Sequence, residues 1–339
     1  MGSVEPMTTV AIVMPFYQRD AAVVRRSLAS IAAQALPGDV RLKLVMVDDA
    51  SPLPVEQALA GFTLPAPHDI VVLHRPNGGP GAARNTALDA LDPREIDFVA
   101  FLDSDDVWRE NHLARAIAGL GGDGDFFFCD HDRWYDPLSW FAASETVQGW
   151  LAAPATAPFR VVDADEALYE FLPDRAFSAF IQDYLAQTST VVYRFAPLAH
   201  IRFDETLRQA GEDSMFWLEL AAAARKTRFV GSADIVCGEG VNMYFSTIGW
   251  DHPEAVRRLS FNILFFLKVG RRFRLAAADR RIVDERAWAL QKTMMRVWMS
   301  KLVKQRQSNA ASLMRLVRQR PMSALTLPTA LVAALVKPT

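Results

Sequence analysis

Short apolar runs alternate with segments of helical spacing through the first third of the chain, and each run ends abruptly in polar residues. The runs occupy 10–14, 42–47, 70–73 and 98–102. Continuous apolar runs this short, bounded by polar, Gly or Pro residues, read as strands buried on both faces. Between the first two lies 21–35, where Val24, Leu28, Ile31 and Ala32 recur at helical spacing, and 82–91 and 109–119 read the same way. Strands alternating with helices imply right-handed βαβ units and a largely parallel sheet. Further on, 120–205 is less regular and rich in aromatics, with another strand expected at 190–193. A helix is expected over 211–225, opening on an acidic turn, and helical pattern runs from Pro253 to about 320, where Pro321 stops it.

Composition supports a folded chain. Apolar residues make up 51% of the 339, and 37 Lys and Arg face 39 Asp and Glu for a net charge of -2, which excludes a disordered or uniformly polycationic protein. The length allows two domains or one large α/β domain with an appendage. Cys129 and Cys237 form no disulfide framework and no metal-type spacing, so a reducing cytoplasm is the expected compartment. No basic start followed by an apolar run is present, so no signal peptide is expected, and no run has the length of a membrane-spanning helix. The near-neutral total hides an asymmetry. Residues 1–267 hold 21 Lys and Arg against 36 Asp and Glu, whereas 268–320 hold 15 basic residues and only Asp279, Asp284 and Glu285. An acidic body with a basic face points to an anionic partner.

In open sheets of this kind, ligands collect at the carboxyl ends of the strands. Those ends carry Pro15-Phe16-Tyr17-Gln18-Arg19, Asp48-Asp49-Ala50-Ser51, Arg75-Pro76-Asn77-Gly78-Gly79 and Asp103-Ser104-Asp105-Asp106. Carboxylates at i and i+2 on a turn leaving a strand can face one hard cation, Mg²⁺ or Mn²⁺, with substrate phosphate completing its shell. The competing reading is a turn with a helix N-cap at Asp105 or Asp106. Asp48-Asp49 can serve a turn, or accept the N3–H of a uracil ring. The segment from Asn77 to Asn85 allows close backbone approach to phosphate. It has neither the P-loop nor the G-x-G-x-x-G spacing, which removes the main support for P-loop ATP hydrolysis and NAD binding. Gly211-Glu212-Asp213 opens a helix, where a carboxylate either complements the helix dipole or acts as general base.

Taken in order, these segments resemble the family 2 glycosyltransferases of GT-A fold. Residues 10–19 look like the opening strand and nucleotide loop, and Val47-Asp48-Asp49-Ala50-Ser51 like the acidic second strand end. Asn77 to Asn85 looks like the Asn-Gly…Ala-Arg-Asn segment, Phe101-Leu102-Asp103-Ser104-Asp105-Asp106 like the metal motif, and Gly211-Glu212-Asp213 like the catalytic Glu-Asp motif. The resemblance implies an α/β domain over residues 7–250, with a Rossmann-like mixed sheet flanked by helices, and a basic amphipathic helical region over 251–339. It implies that Pro15, Tyr17 and Arg19 line a uridine pocket, with Asp48 or Asp49 on the base and Arg84 near base or diphosphate. Asp103 and Ser104 would lie at the ribose and donor sugar, with Asp105 and Asp103 holding Mn²⁺ or Mg²⁺, and Asp213 would be the base of an inverting displacement. One departure is the lack of a His after the last core strand. His252 or Tyr244 is the substitute near the diphosphate, within a glycine-bearing stretch over 237–250 that has the makeup of a lid.

Acceptor contacts are expected from Trp134, Tyr135, Trp140 and Trp150, the alternative being ordinary packing, and from the polar clusters Gln182-Asp183-Tyr184 and Thr188-Ser189-Thr190. Basic and apolar faces on the C-terminal helices read as docking on an anionic membrane surface, with a solvated helix face or a homodimer interface as the alternatives. Nucleic acid is not expected as a partner. The resemblance extends to exopolysaccharide, succinoglycan-type glucosyltransferases. It implies transfer of glucose from a UDP-sugar to a polyprenyl-diphosphate-linked saccharide, on the inner face of the plasma membrane. Two other classes are weighed. A sugar nucleotidylyltransferase needs a Gly-rich basic loop after the first strand, where Met14-Pro15-Phe16-Tyr17-Gln18-Arg19 has no glycine. A non-catalytic membrane-surface adaptor has no need of Asp105 and Asp213 together.

Overall fold

The computed structural model describes residues 7–238, 252–305, 310–319, 321 and 323–336. These fall into two units, one within Met1–Glu205 and Phe216–Val241, the other within Thr206–Met215 and Asn242–Thr339.

The first unit begins β1 (Thr8–Phe16), α1 (Ala21–Ala32), β2 (Val40–Asp48), α2 (Val55–Ala58), β3 (Asp69–His74), α3 (Pro80–Asp89), β4 (Phe98–Phe101), β5 (Val107–Trp108) and α4 (His112–Leu120). It continues with β6 (Phe126–Arg133), α5 (Trp140–Ala143), α6 (Glu145–Ala152), β7 (Phe159–Asp163), β8 (Leu168–Phe171), α7 (Arg175–Gln182), β9 (Val192–Arg194) and α8 (Phe195–Leu198). Then come α9 (Glu212–Ala223), whose first residues fall with the second unit, and β10 (Thr227–Cys237). The strands form one sheet in the order β3-β2-β1-β4-β9-β6-β10-β8-β7, with β5 beside β10. Neighbours from β3 to β4 are parallel, as the alternation predicts. Beyond them the sheet is mixed: β9 runs antiparallel to both neighbours, β6 and β10 are parallel, and β5 and β8 run antiparallel to β10.

Alternation within β1 explains the layers. Ala11 and Val13 join the core on one face with Ala83, Ala87 and Leu88 of α3 and Phe216, Trp217 and Leu220 of α9. Val10, Ile12 and Met14 join the core on the other with Val24, Leu28 and Ile31 of α1 and Leu113, Ala116 and Leu120 of α4. Successive side chains of a strand point to opposite faces, so a run apolar at every position must be covered on both. Asp20 caps α1 by accepting from the Ala22 amide at 2.8 Å. The helix ends at Ala32, three residues short of expectation, and Gln34 just beyond takes another task. Its Nε2 donates to the Arg109 carbonyl at 2.9 Å and its Oε1 accepts from the Leu113 amide at 3.0 Å. That satisfies an orphan donor at the start of α4, which begins at His112 rather than 109 because Val107 and Trp108 pair with β10.

The second unit contains α10 (Ala255–Arg272), α11 (Ala277–Gln305), α12 (Ala310–Gln319) and α13 (Ser323–Val336). Helix α10 buries Val256, Leu259, Ile263, Leu264 and Leu267, α11 packs against it, and Arg315 of α12 lies over the Phe261 ring at 4.5 Å. Pro321 ends α12 as expected, but a further helix comes after it: α13 restarts at Ser323 and carries Pro328 inside it. No helix among the described residues is long and apolar enough to cross a membrane.

Candidate active site

Register brings the predicted strand ends to one edge. Phe16 pairs with Asp48, Asp48 with His74, and Val13 with Phe101, so the four polar segments leave the sheet side by side. Tyr17 and Arg19 are exposed and Pro15 is half-buried, while Gln18 between them is buried. Gln18 stitches the loops together. Its amide donates to Ser51 Oγ at 2.9 Å, its carbonyl accepts from the same hydroxyl at 3.0 Å, and its Nε2 donates to Ser104 Oγ at 2.9 Å.

Asp48 and Asp49 build two neighbouring turns. The Asp48 carboxylate accepts from the Ser51 amide at 2.7 Å and from the Val55 amide at 3.4 Å, and Ala50 adopts the left-handed region at φ 55. Asp49 accepts from Arg75 Nη1 at 3.0 Å and from the amides of Gly78 and Gly79 at 2.8 and 2.7 Å. Its carboxylate therefore shapes the glycine loop that leads into α3, and Pro80 sits at the helix start, where its missing N–H costs nothing.

The acidic turn is the electrostatic centre. The Asp106 amide donates to the Asp103 carbonyl at 3.1 Å and closes the turn. The chain then enters β5 rather than a helix, so neither Asp105 nor Asp106 is a helix cap. Asp106 is buried and fully engaged. It accepts from Ser189 Oγ at 2.6 Å, Gln187 Nε2 at 2.7 Å and the Gly238 amide at 2.9 Å. Gly238 must be glycine, because a Cβ there would collide with the Asp105 carbonyl. Asp103 pairs with the buried guanidinium of Arg84, which also lies over the Phe203 ring at 5.2 Å. Burial first, and then the charges of Asp106 and Asp103, push the half-buried Asp105 carboxyl well above the usual carboxylate range. Burial and Asp103 likewise raise Asp106, against the pull of its hydrogen bonds. Asp103 and Asp105 offer carboxylate oxygens, the hard ligands that suit Mg²⁺ or Mn²⁺, beside the Arg84 guanidinium.

Ser189 holds this turn from behind. Its hydroxyl also accepts from the Asp103 amide at 3.0 Å, and its carbonyl accepts from Trp108 Nε1 at 2.8 Å. The expectation that Thr188-Ser189-Thr190 faces an acceptor is therefore corrected: all three are buried, and Ser189 binds the acidic turn. Beside Arg84, Asn85 brackets the chain, donating to the Phe203 carbonyl at 3.0 Å and to Glu205 Oε1 at 2.9 Å while accepting from the Phe203 amide at 2.8 Å. Phe203 in turn stacks on Phe216 at 4.1 Å. Gln187 supports the site without having been singled out from sequence, whereas Gln18, Asp106, Ser189 and Gly238 lie in segments that were and take supporting roles there.

In the second unit, Gly211 has φ 85, and a Cβ on it would come within 2.8 Å of the Phe265 Cβ. Glu212 and Asp213 occupy the first turn of α9, and the Asp213 carboxylate accepts from the Ser214 amide at 2.6 Å. His252 Nδ1 accepts from the Glu254 amide at 3.2 Å, whereas Tyr244 and residues 239–250 of the expected lid lie outside the described residues. Of the four acceptor aromatics, Trp134 and Tyr135 are exposed and meet edge to face at 5.4 Å. Trp140 is half-buried under Arg133 at 4.6 Å and against His131 at 5.6 Å, and Trp150 packs on Phe159 at 6.2 Å.

The chain is similar to known proteins. The family model described as Glycosyl transferase family 2 matches residues 11–168. The succinoglycan biosynthesis protein ExoW of Rhizobium meliloti (strain 1021) is 33% identical over 258 residues, which cover 74% of this chain and 75% of that protein. S. aureus TarS 1-349, solved in complex with UDP-GlcNAc, superposes with a TM-score of 0.55 at 19% identity, covering 97% of this chain and 92% of that one. The mannosyltransferase PcManGT from Pyrobaculum calidifontis, solved in complex with GDP-Man and Mn²⁺, gives 0.53 at 18% identity, covering 99% and 89%. At these identities the two structures establish a common fold, the GT-A arrangement of a mixed sheet flanked by helices.

Proposed function

The chain belongs to glycosyl transferase family 2, and from that premise we propose that it moves a hexose, glucose first among the candidates, from a UDP-sugar to a hydroxyl of a polyprenyl-diphosphate-linked saccharide during synthesis of a bacterial surface polysaccharide. The observation that carries this reading is the acidic turn at the strand ends, where Asp103 pairs with the Arg84 guanidinium and burial and neighbouring carboxylates raise Asp105 and Asp106. A nucleotide-sugar donor is supported by the ligands of both fold relatives, UDP-GlcNAc on TarS and GDP-Man with Mn²⁺ on PcManGT, and uridine as its base by TarS. The part that ExoW takes in succinoglycan biosynthesis supports the polysaccharide context.

In this reading Pro15, Tyr17 and Arg19 receive the uridine. Asp48 or Asp49 orders the loop at the base, and Arg84 lies towards base or diphosphate. Asp103 and Ser104 hold the ribose and donor sugar. Asp105, with Asp103, would hold Mn²⁺ or Mg²⁺. The buried excess of negative charge on that turn fits such a cation, which when bound neutralises charge developing on the departing diphosphate. Asp213 takes the proton of the acceptor hydroxyl as its oxygen bonds to the anomeric carbon and the bond to the β-phosphate oxygen breaks. A single displacement of this kind inverts the anomeric centre. Proximity and charge stabilisation supply most of the acceleration.

A peripheral position on an anionic membrane surface fits the second unit. Arg271, Arg272, Arg274 and Arg281 are exposed there, as are Val303, Met314, Leu325 and Val332. The deciding experiment is UDP release and sugar transfer with a panel of UDP-sugars and Mn²⁺, using polyprenyl-diphosphate-linked saccharides as acceptors. UDP-glucose is expected to turn over fastest. No UDP release with any donor refutes the proposal.

A further inference from the structure

Away from the acidic turn, three elements of the first unit converge on a different set of ligands. His112 opens α4, Cys129 lies in β6 and Asp234 in β10. All three are buried, and one ligand atom from each lies within 4.8 Å of the other two. Cys129 Sγ stands 3.7 Å from His112 Nδ1. In a tetrahedral zinc site with Zn–S near 2.3 Å and Zn–N near 2.05 Å, those two atoms lie about 3.6 Å apart. The pair is thus already spaced as ligands of one ion.

On the carboxylate, Asp234 Oδ2 is left without a partner among the described residues. Buried polar atoms are nearly always paired, so this orphan beside the Cys129 and His112 pair asks for an unseen partner. Asp234 Oδ1 is taken by Arg115, which leaves Oδ2 as the free donor of that carboxylate. Arg115 also pairs with Glu166 at 3.3 Å. With a neutral imidazole and a protonated thiol, Asp234, Glu166 and Arg115 sum to one negative charge. A divalent cation that displaces the Cys129 proton to solvent brings the group to neutrality.

We propose that His112, Cys129 and Asp234 form a second metal site, separate from the acidic turn, which binds a thiolate-seeking divalent cation, Zn²⁺ by its nitrogen, sulfur and oxygen donors. Three protein ligands leave one position for a water. The site ties the start of α4 to β6 and β10, and β10 leads directly into Gly238, whose amide holds Asp106. The ion would therefore be a structural clamp at the root of the strand that supports the acidic turn. The sequence shows no ligand spacing because each ligand comes from a separate element.

Cobalt(II) tests this on the full-length chain. After chelation and removal of the chelator, Co²⁺ added stoichiometrically is expected to bind one equivalent, with a thiolate-to-cobalt charge-transfer band and the intense d–d bands of a tetrahedral site. Zn²⁺ is expected to displace it and to raise the melting temperature above that of the stripped protein. Cys129→Ser should abolish the charge-transfer band, and Asp105→Asn should retain it. If Cys129→Ser does not fold, the wild-type titration decides. Absence of the band in folded wild-type protein overturns the proposal, and so does a band that survives Cys129→Ser.

Discussion

Replacing Arg84 by Met tests what holds the acidic turn together. The Arg84 side chain is 4% exposed and that of Asp103 is 24% exposed. Removing one partner of a buried ion pair costs about 3–5 kcal/mol, because the other charge stays behind uncompensated. Partial access of Asp103 to water lowers that to about 2–4 kcal/mol. Met keeps the apolar packing on Phe203 but loses a cation–π contact of about 0.5–1 kcal/mol. The loss should depend on pH. Asp105 and Asp106 already titrate above the usual range through burial and mutual repulsion, and removing Arg84 raises Asp105 further. A raised carboxyl pKa means that the fold disfavours the ionised form, so the variant is penalised most at high pH and recovers as protonation relieves the repulsion. Urea unfolding at pH 8 and pH 5.5, each with and without Mn²⁺, measures this. The account predicts a deficit that is larger at pH 8 and is partly restored by Mn²⁺. A variant within about 0.5 kcal/mol of wild type, or a deficit indifferent to both pH and Mn²⁺, refutes the reasoning.

Three further outcomes are expected from the same geometry. Burial lowers His112 and His131 to about 3, so below pH 6.5 the unfolded chain takes up two protons that the fold refuses. Stability should therefore fall as pH drops from 6.5 towards 3, by about 2 kcal/mol per histidine at pH 5, and pH-independent unfolding midpoints over that window would contradict it. Asp213→Asn should reduce transfer by about 10²–10⁴ while the fold is retained by circular dichroism, and full activity would remove Asp213 as the base. In vesicle co-sedimentation, the chain should prefer anionic over neutral lipid. The pair Arg271→Glu and Arg274→Glu should weaken binding at least about tenfold, whereas equal binding to both vesicle types refutes electrostatic docking.

The parallel half of the sheet was legible because β1 and β4 carry uninterrupted apolar runs that burial on both faces accounts for, while β2, broken by Arg41 and Lys43, and the half-buried edge strand β3 are still mostly apolar. The other half concealed itself for local reasons. Four of the five residues of β7 are exposed, so it carries no buried alternation, and β10 contains register shifts on either side of Ala233 that break the period of two. At the candidate site, the ordered acidic and glycine segments pointed to one edge of the sheet, where strand register brings them together. What sequence leaves open is which carboxylates face a ligand and which build the loops. Asp48 and Asp49 spend their oxygens on backbone amides and Arg75, and Asp106 spends its own on Gln187, Ser189 and Gly238. The partners of Asp106 lie far away along the chain, where no spacing rule reaches. Thr188-Ser189-Thr190 shows the same limit from the other side, since a polar cluster reads as exposed until its partners are known.

The central claim is that the turn from Asp103 to Asp106 is where a divalent cation and a UDP-sugar meet. Mn²⁺ binding monitored by electron paramagnetic resonance, with and without UDP, on wild type and on Asp105→Asn, tests it most directly. The account predicts that wild type binds Mn²⁺ more tightly when UDP is present, and that Asp105→Asn loses this mutual enhancement while remaining folded. Equal Mn²⁺ affinity in the two proteins, or UDP without effect on wild type, contradicts it.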